Sequence, residues 1–209
     1  MSEPKARADR IQLLNPWLYH WSVLDDRIGD YRSDAYAVLT SDGKVLIDPL
    51  PLAEEALAEI GKVAAICLTG GQHQRSAWRY RKALGVPVYV PEGAVDLEEE
   101  PDESYRDGDS LPGGFKAIQV HGLGNSFALL METEGGSGAL FCGDLLVRDT
   151  DGPFQLLPDE YLDDPALARE SAHRLAQLQV EILCPAHGVP CLIGCGQAIQ
   201  KALEGKSDQ

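Results

Sequence analysis

The sequence predicts a mixed fold with α/β and α+β character, and three observations support this class. Short apolar runs alternate with segments whose apolar residues recur at helical spacing. Between residues 45 and 90 the order strand, helix, strand, helix, strand indicates parallel strands joined by helical crossovers. The 209 residues show no internal repeat, low-complexity linker or shift in composition. We therefore predict a single domain over residues 1–209.

The first half of the chain supplies the parallel strands. AYAVLT and VLIDPLPL flank the turn SDGK and are predicted to form a hairpin. LAEEALAEI is predicted to be a helix, VAAICLT a buried strand, SAWRYRKAL a helix ending at Gly85, and VPVYV another buried strand. Nine acidic residues then crowd between Glu92 and Asp109, with Arg106 as the one base. We interpret this segment as a solvated connecting loop, with cation binding as the alternative.

The second half predicts a further set of strands between two helices. FKAIQVH, SFALLMET and ALFCGDLLV are strand candidates, and the Gly-rich turn EGGSG separates the last two. A helix is expected to begin at Asp164-Pro165 and continue through ALARESAHRLAQL, because Pro favours the first helical turn. EILCPAHG then predicts a buried strand, and a helical segment closes the chain.

Charge and cysteine content restrict the classes of partner. The chain has 18 Lys and Arg against 33 Asp and Glu, for a net charge of −15. This balance argues against nucleic acid and anionic membranes as partners, since both require a surplus of bases. The five cysteines are an odd number and do not have the pattern of a disulfide framework. We expect buried, unreactive thiols, with a metal or redox pair at Cys191 and Cys195 as the alternative.

The N-terminal residues MSEPKARADR lack the apolar core of a signal peptide. No apolar run approaches the roughly 18 residues that a membrane-spanning helix requires. We therefore predict a cytoplasmic protein with no membrane contact.

Candidate functional residues follow four of the predicted strands. His73 lies in TGGQHQR, His121 in VHGLGNS, Asp144 in FCGDLL and His187 in CPAHG. In sheets flanked by helices, the loops after strand carboxyl ends converge on the ligand crevice. The four side chains are therefore candidates for one site.

A series of segments resembles the metallo-β-lactamase superfamily from about residue 33 to residue 190. In order they are LIDP, LT-x6-SA, PVYV, YRDGDSLPGGFKAI, ALFCGDLL, ESAHRLAQL and CPAHG. The resemblance implies a four-layer αβ/βα sandwich with metal-binding loops along one edge of two central sheets. It also implies a hydrolase, although a fold alone does not define an activity.

The metal motifs of that family are mostly changed. Where the family has His-x-His-x-Asp-His after LT, this chain has Gly70, Gly71, Gln72, His73, Gln74 and Arg75. The third-motif histidine corresponds to Gly122 or Leu123. Asp144 and His187 correspond to the bridging aspartate and the last histidine. Two ligands rarely hold zinc, so no bound metal is our preferred interpretation.

Arg75 suggests what replaces the metal. A guanidinium remains protonated and cannot ligate, but it can neutralise a buried carboxylate. We hypothesise an ion pair between Arg75 and Asp144. The alternative is a rearranged site in which His73, with or without His121, joins Asp144 and His187 to bind one zinc or ferrous iron ion.

Two functions follow from these alternatives. We favour a non-catalytic protein that binds a small molecule or acts in regulation, because the two-metal site is largely lost. The other function is a hydrolase whose single metal, held by His73, Asp144 and His187, activates water.

Overall fold

The computed structural model describes residues 3–133, 138–149 and 152–205. Backbone contacts divide the chain into two compact units. The N-terminal unit comprises Met1–Tyr105 and Leu111–Gly113, and the C-terminal unit comprises Arg106–Ser110 and Gly114–Gln209. That residues 1–209 act as one domain stays a prediction. None of the helices in the described residues is long and apolar enough to cross a membrane.

The N-terminal unit is built on a seven-stranded sheet whose strands follow chain order. They are β1 (Gln12–Asn15), β2 (Leu18–Asp25), β3 (Tyr31–Leu39), β4 (Lys44–Ile47), β5 (Val63–Cys67), β6 (Val88–Pro91) and β7 (Glu103–Tyr105). The strands from β1 to β4 pair antiparallel, and those from β4 to β7 pair parallel. The predicted hairpin and the parallel strands are therefore confirmed.

Helices α1 (Glu54–Ile60) and α2 (Ala77–Leu84) connect the parallel strands of this sheet. Helix α2 ends as predicted, because Gly85 adopts a left-handed conformation and its N–H bonds to the Arg81 carbonyl. A core of apolar side chains that includes Trp21, Leu46 and Ile66 packs with Trp78 of α2. Burial of this apolar face holds the helices on the sheet.

The acidic segment is more ordered than the sequence predicted. Residues Glu103–Tyr105 form β7, which pairs parallel with β6. Tyr105 is buried, and its hydroxyl donates to the Leu68 carbonyl at 2.5 Å. Arg81 and Lys82 of α2 form ion pairs with Asp102 and Glu99 respectively. The prediction of a solvated connecting loop is therefore corrected for Glu103–Tyr105, where the buried Tyr105 anchors a short strand.

The C-terminal unit contains a five-stranded sheet in the order β14, β11, β10, β9, β8. The bounds are β8 (Ser110–Leu111), β9 (Phe115–Gln119), β10 (Phe127–Met131), β11 (Ala139–Phe141) and β14 (Ile182–Cys184). Strand β10 pairs antiparallel with both β9 and β11, and β11 pairs parallel with β14. The turn predicted over EGGSG lies outside the described residues except for Gly138.

Two helices and a short ribbon complete this unit. The ribbon consists of β12 (Leu146–Arg148) and β13 (Phe154–Leu156). Helix α3 (Pro165–Leu175) begins at the predicted position, where the Asp164 carboxylate accepts from the N–H groups of Ala166 and Leu167. Helix α4 (Cys195–Glu204) is the predicted closing helix.

Candidate functional site

His73 is held by two residues that follow neighbouring parallel strands. Asp48 comes directly after β4 and Thr69 follows β5, and the register pairs Ile47 with Cys67. The Thr69 N–H donates to Asp48 Oδ1 at 2.8 Å, and its hydroxyl donates to Asp48 Oδ2 at 2.6 Å. His73 Nδ1 lies 2.8 Å from Thr69 Oγ1 and 3.1 Å from Asp48 Oδ2.

This network assigns the protonation of the His73 ring. Because the Thr69 hydroxyl donates its proton to Asp48, the hydroxyl oxygen accepts from His73. In the neutral form of the ring, Nδ1 therefore carries the proton and the lone pair lies on Nε2. A histidine whose Nδ1–H bonds to a hydroxyl that is itself bound to a carboxylate, and whose other nitrogen carries a lone pair, has the arrangement of a metal ligand.

Asp48 has an uncommon backbone conformation. Its φ is +47°, and Arg75 also has a positive φ of +36°. For residues other than glycine this region costs on the order of 1–3 kcal/mol and persists only where surrounding contacts enforce it. Arg75 is buried, and its Nη1 donates to the backbone carbonyls of Asp34 at 2.8 Å and Asp48 at 3.1 Å.

Arg75 and Asp144 belong to different units. The predicted ion pair between them stays a prediction.

Gln74 occupies a ligand position of the family motif but has another role. Its Oε1 accepts from Trp78 Nε1 at 2.7 Å and from the Glu98 N–H at 2.8 Å. Its Nε2 donates to the Asp96 carbonyl at 3.0 Å. The buried amide thus fixes the segment 96–98 against α2, a role that needs both a donor and an acceptor.

Asp144 and His187 are brought together in the C-terminal unit. They follow β11 and β14, and those strands pair parallel with Phe141 opposite Cys184. Asp144 Oδ1 lies 3.3 Å from His187 Nε2, and both side chains are partly exposed. Both residues were among the four that the sequence made candidates for one site.

The loop that carries His187 is fixed by its backbone. The Ala186 N–H donates to the Gly143 carbonyl, and the Arg148 N–H donates to the His187 carbonyl, both at 2.9 Å. Gly188 has a φ of +119°, and a Cβ there would lie 2.3 Å from the Arg148 carbonyl oxygen. Only glycine therefore allows this close approach to β12.

His121 lies apart from a ligand cluster. Its side chain is exposed and its N–H donates to Ser171 Oγ at 2.9 Å. Throughout residues 3–133, 138–149 and 152–205, it belongs to no group of three or more His, Cys, Asp or Glu side chains that could share a metal ion.

The neighbouring positions explain why the third-motif histidine is absent. A Cβ on Gly122 would lie 2.2 Å from the Asp164 carbonyl oxygen, and Leu123 is buried in the apolar core. Neither position can present an imidazole to a metal.

The four buried cysteines, Cys67, Cys142, Cys184 and Cys195, do not have the exposed, electropositive environment of a catalytic thiol. All five thiols are free, and Cys67, Cys142 and Cys184 are buried as predicted. Burial raises the pKa of the Cys67 and Cys142 thiols well above the usual range, and burial together with the charge of Cys191 raises the pKa of Cys195 to about 12. Protonated, inaccessible thiols are poor nucleophiles.

The sequence did not identify a second polar cluster, around Asp34. The buried Asp34 carboxylate lies 2.7 Å from His20 Nε2 and accepts from the Arg32 guanidinium at 2.7 Å. Burial alone would raise the pKa of Asp34, but hydrogen bonds from His20 and Arg32 outweigh it, and the pKa lies below its ordinary value. The alternation of residues along β2 and β3 is the one sequence signal that places these side chains on one face.

The sequence and the structure of this chain are similar to those of known proteins. A model of the metallo-beta-lactamase superfamily matches residues 11–200, whereas no curated protein matches. The structure is similar to DIM-1 metallo-β-lactamase (16% identity, 97% of this chain and 99% of that chain, TM-score 0.74). It is also similar to a metallo-β-lactamase from Pontibacter korlensis (17% identity, 96% of this chain and 100% of that chain, TM-score 0.73). A metallo-β-lactamase family protein from Thermus thermophilus is similar as well (19% identity, 93% of this chain and 81% of that chain, TM-score 0.64). The predicted fold class, the metallo-β-lactamase α/β sandwich, is confirmed. This chain belongs to the metallo-β-lactamase superfamily.

Proposed function

We propose that the protein is a hydrolase that uses one divalent metal ion, with His73, Asp144 and His187 as its ligands. The observation that carries the proposal is the orientation of His73 by Asp48 and Thr69. The Thr69 hydroxyl accepts the Nδ1–H of His73 and donates to Asp48, and an orienting hydrogen bond of this kind fixes the ring and raises the basicity of Nε2.

The donor set fits zinc or ferrous iron. Two imidazoles and one carboxylate are a common ligand set for either ion when a further position is left for water. Asp144 and His187 supply two of the three donors from adjacent strand ends. A bound ion of this kind would lower the pKa of water and polarise the scissile bond of the substrate.

The chain's own residues have defined tasks in this proposal. Asp48 and Thr69 hold the His73 ring with Nδ1 protonated. The Gly143 carbonyl and the Arg148 N–H hold the loop that carries His187. His73 and His187 are thus each held within their own unit, which would lower the entropic cost of ordering these side chains on metal binding.

Metal analysis of the protein purified without a His tag tests the proposal. After incubation with zinc or ferrous iron and dialysis, we expect about one tightly bound ion per chain, since the proposal has one set of three ligands. His73→Ala and His187→Ala should each abolish this binding. His173→Ala is the matched control, because His173 is exposed on α3.

Hydrolysis is measured with the metal-loaded protein on small-molecule lactones, thioesters, phosphodiesters and a chromogenic β-lactam. Activity should depend on His73 and His187 and not on His173. A wild-type protein that retains no ion, or variants that bind metal as well as the wild type, would contradict the proposal.

A non-catalytic binding protein is the second candidate function, and Arg75 and Gln74 favour it. Both stand at ligand positions of the family motif and neither can act as an anionic or imidazole ligand there. In this case Arg75 neutralises Asp144 in place of a metal. A double-mutant cycle with Arg75→Met and Asp144→Asn would then show a coupling of about 1 kcal/mol or more in the free energy of unfolding, in a protein that binds no metal.

A further inference from the structure

We propose that Arg75 is the positioning residue for His73, acting through the backbone of Asp48. The inference rests on the proposed metal site, because it concerns how one of its ligands is oriented. Arg75 stands where the family motif has a metal-binding histidine, so a lost ligand position would have gained a new task in the same site.

The ladder between β3 and β4 lacks one hydrogen-bond donor at Pro49. Strands β3 and β4 pair with Tyr36 opposite Ile47, and the Thr40 N–H bonds to the Gly43 carbonyl at the hairpin turn. Because hydrogen-bonded pairs alternate along an antiparallel ladder, the next such pair beyond Tyr36 would join Asp34 to Pro49, two residues past the end of β4. Pro49 has no N–H, so the ladder cannot supply a donor to the Asp34 carbonyl.

Arg75 provides the donor that Pro49 lacks. Its Nη1 bonds to the Asp34 carbonyl at 2.8 Å and to the Asp48 carbonyl at 3.1 Å. One buried cation thus joins Asp34, within β3, to Asp48, the residue that follows β4. A guanidinium suits this task because its planar group of donors is preorganised and always charged.

Asp48 has a constrained backbone conformation. With a φ of +47°, this residue is in the left-handed region, which a non-glycine residue keeps only under constraint. Its carboxylate accepts from the Thr69 hydroxyl and lies 3.1 Å from His73 Nδ1, while its carbonyl accepts from Arg75. The same residue is therefore held from both ends, and its carboxylate direction depends on the bond to Arg75.

NMR of the full-length, metal-free protein at neutral pH tests this inference. The ¹⁵N shifts of the His73 ring, assigned by their loss in His73→Asn, report which nitrogen is protonated. We expect the Nδ1–H form in the wild type and a mixture of forms in Arg75→Met. Arg75→Lys should be intermediate, since lysine keeps the charge but lacks the planar donor group.

Zinc affinity, measured by competition with a chelator, is the second readout. Loss of an orienting contact around a metal ligand typically reduces affinity about 10–100-fold, and we expect a loss in this range for Arg75→Met. Arg79→Met is the matched control, because Arg79 lies on α2 and bonds to Glu3. It should leave both the His73 ring and zinc affinity unchanged.

The outcomes separate the two proposals. If the wild type binds no zinc, the proposed function fails, while the ring shifts still decide the role of Arg75. If a folded Arg75→Met or Arg75→Lys protein keeps the wild-type ring shifts, the inference is overturned whatever the zinc result. Should Arg75→Met not fold, the comparison of Arg75→Lys with Arg79→Met decides.

Discussion

The Asp34 carboxylate shows how a buried charge is stabilised in this protein. It is fully buried and lies between His20 and the Arg32 guanidinium, which is one-third exposed. Charge-assisted hydrogen bonds of this kind are roughly twice as strong as neutral ones. They stabilise the ionised form, so the carboxylate contributes to stability only while it is deprotonated.

Asp34→Asn should therefore change the pH dependence of unfolding. The folded-state pKa of Asp34 is lowered, so its contribution is complete above the unfolded value of about 4 and is lost as the pH falls through the folded pKa. We expect the variant to lose about 2–3 kcal/mol at neutral pH, and the difference from wild type to shrink below about pH 4. Urea unfolding across this range measures it.

Glu59→Gln provides the control for that experiment, since Glu59 is exposed on α1. It removes one carboxylate without breaking a buried contact. A wild-type-to-Asp34→Asn difference that stays constant down to acidic pH would contradict the assignment of the lowered pKa.

Individual ligand candidates were readable in the sequence, but the residues that orient them were not. His73, Asp144 and His187 each follow an apolar run, and the carboxyl end of a strand is visible in such a pattern. Asp48 also follows a strand. Its bond to Thr69 depends on the register between β4 and β5, which includes an irregularity near Lys44 that the local sequence does not specify.

The loop after β9 and the start of α3 form a tightly packed contact. Gly122 accepts the N–H groups of Asp163 and Asp164 on its carbonyl. A Cβ at Gly122 would lie 2.2 Å from the Asp164 carbonyl oxygen and 2.5 Å from the Ala168 nitrogen, and the φ of Gly122 is +83°. Backbone conformation and space thus both require glycine.

Gly122→Ala should be far more damaging than Gly85→Ala. Gly85 has a similar φ of +66° but nothing within 4 Å of an added Cβ, so its substitution should cost only about 1 kcal/mol of left-handed strain. Gly122→Ala adds a backbone clash, and we expect a loss above about 3 kcal/mol. Thermal unfolding of both variants measures the difference, and equal losses would contradict this explanation.

The sequence predicts the helices and strands that have a strong apolar pattern. It does not predict the strands that are held by a few contacts to residues distant in sequence. The central strands and the helices α1 to α4 have periodic apolar residues. Strand β7 has one buried residue, Tyr105, within an acidic run, and the N-terminal strands β1 and β2 mix aromatic and polar residues without a clear period. Their pairing depends on neighbours distant in sequence, so local pattern alone is insufficient.

At the scale of the whole molecule, the net charge of −15 should exclude polyanions. Binding to a nucleic-acid backbone depends on the number of phosphates that bases neutralise. We expect no saturable binding of a labelled duplex of about 20 base pairs at micromolar protein and physiological salt, measured by fluorescence anisotropy. Tight, salt-sensitive binding would instead reveal a basic surface that the composition conceals.

The hydrogen bonds of Gln74 restrict which residues can replace it. Replacement by the aspartate of the family motif would shorten the side chain and remove the donor to Asp96, releasing a segment of the chain before any ligand was useful. The Cβ of a histidine at position 122 would clash with the backbone of Asp164 and Ala168. Each of these two substitutions towards a two-metal motif should therefore lower the stability of the fold by itself.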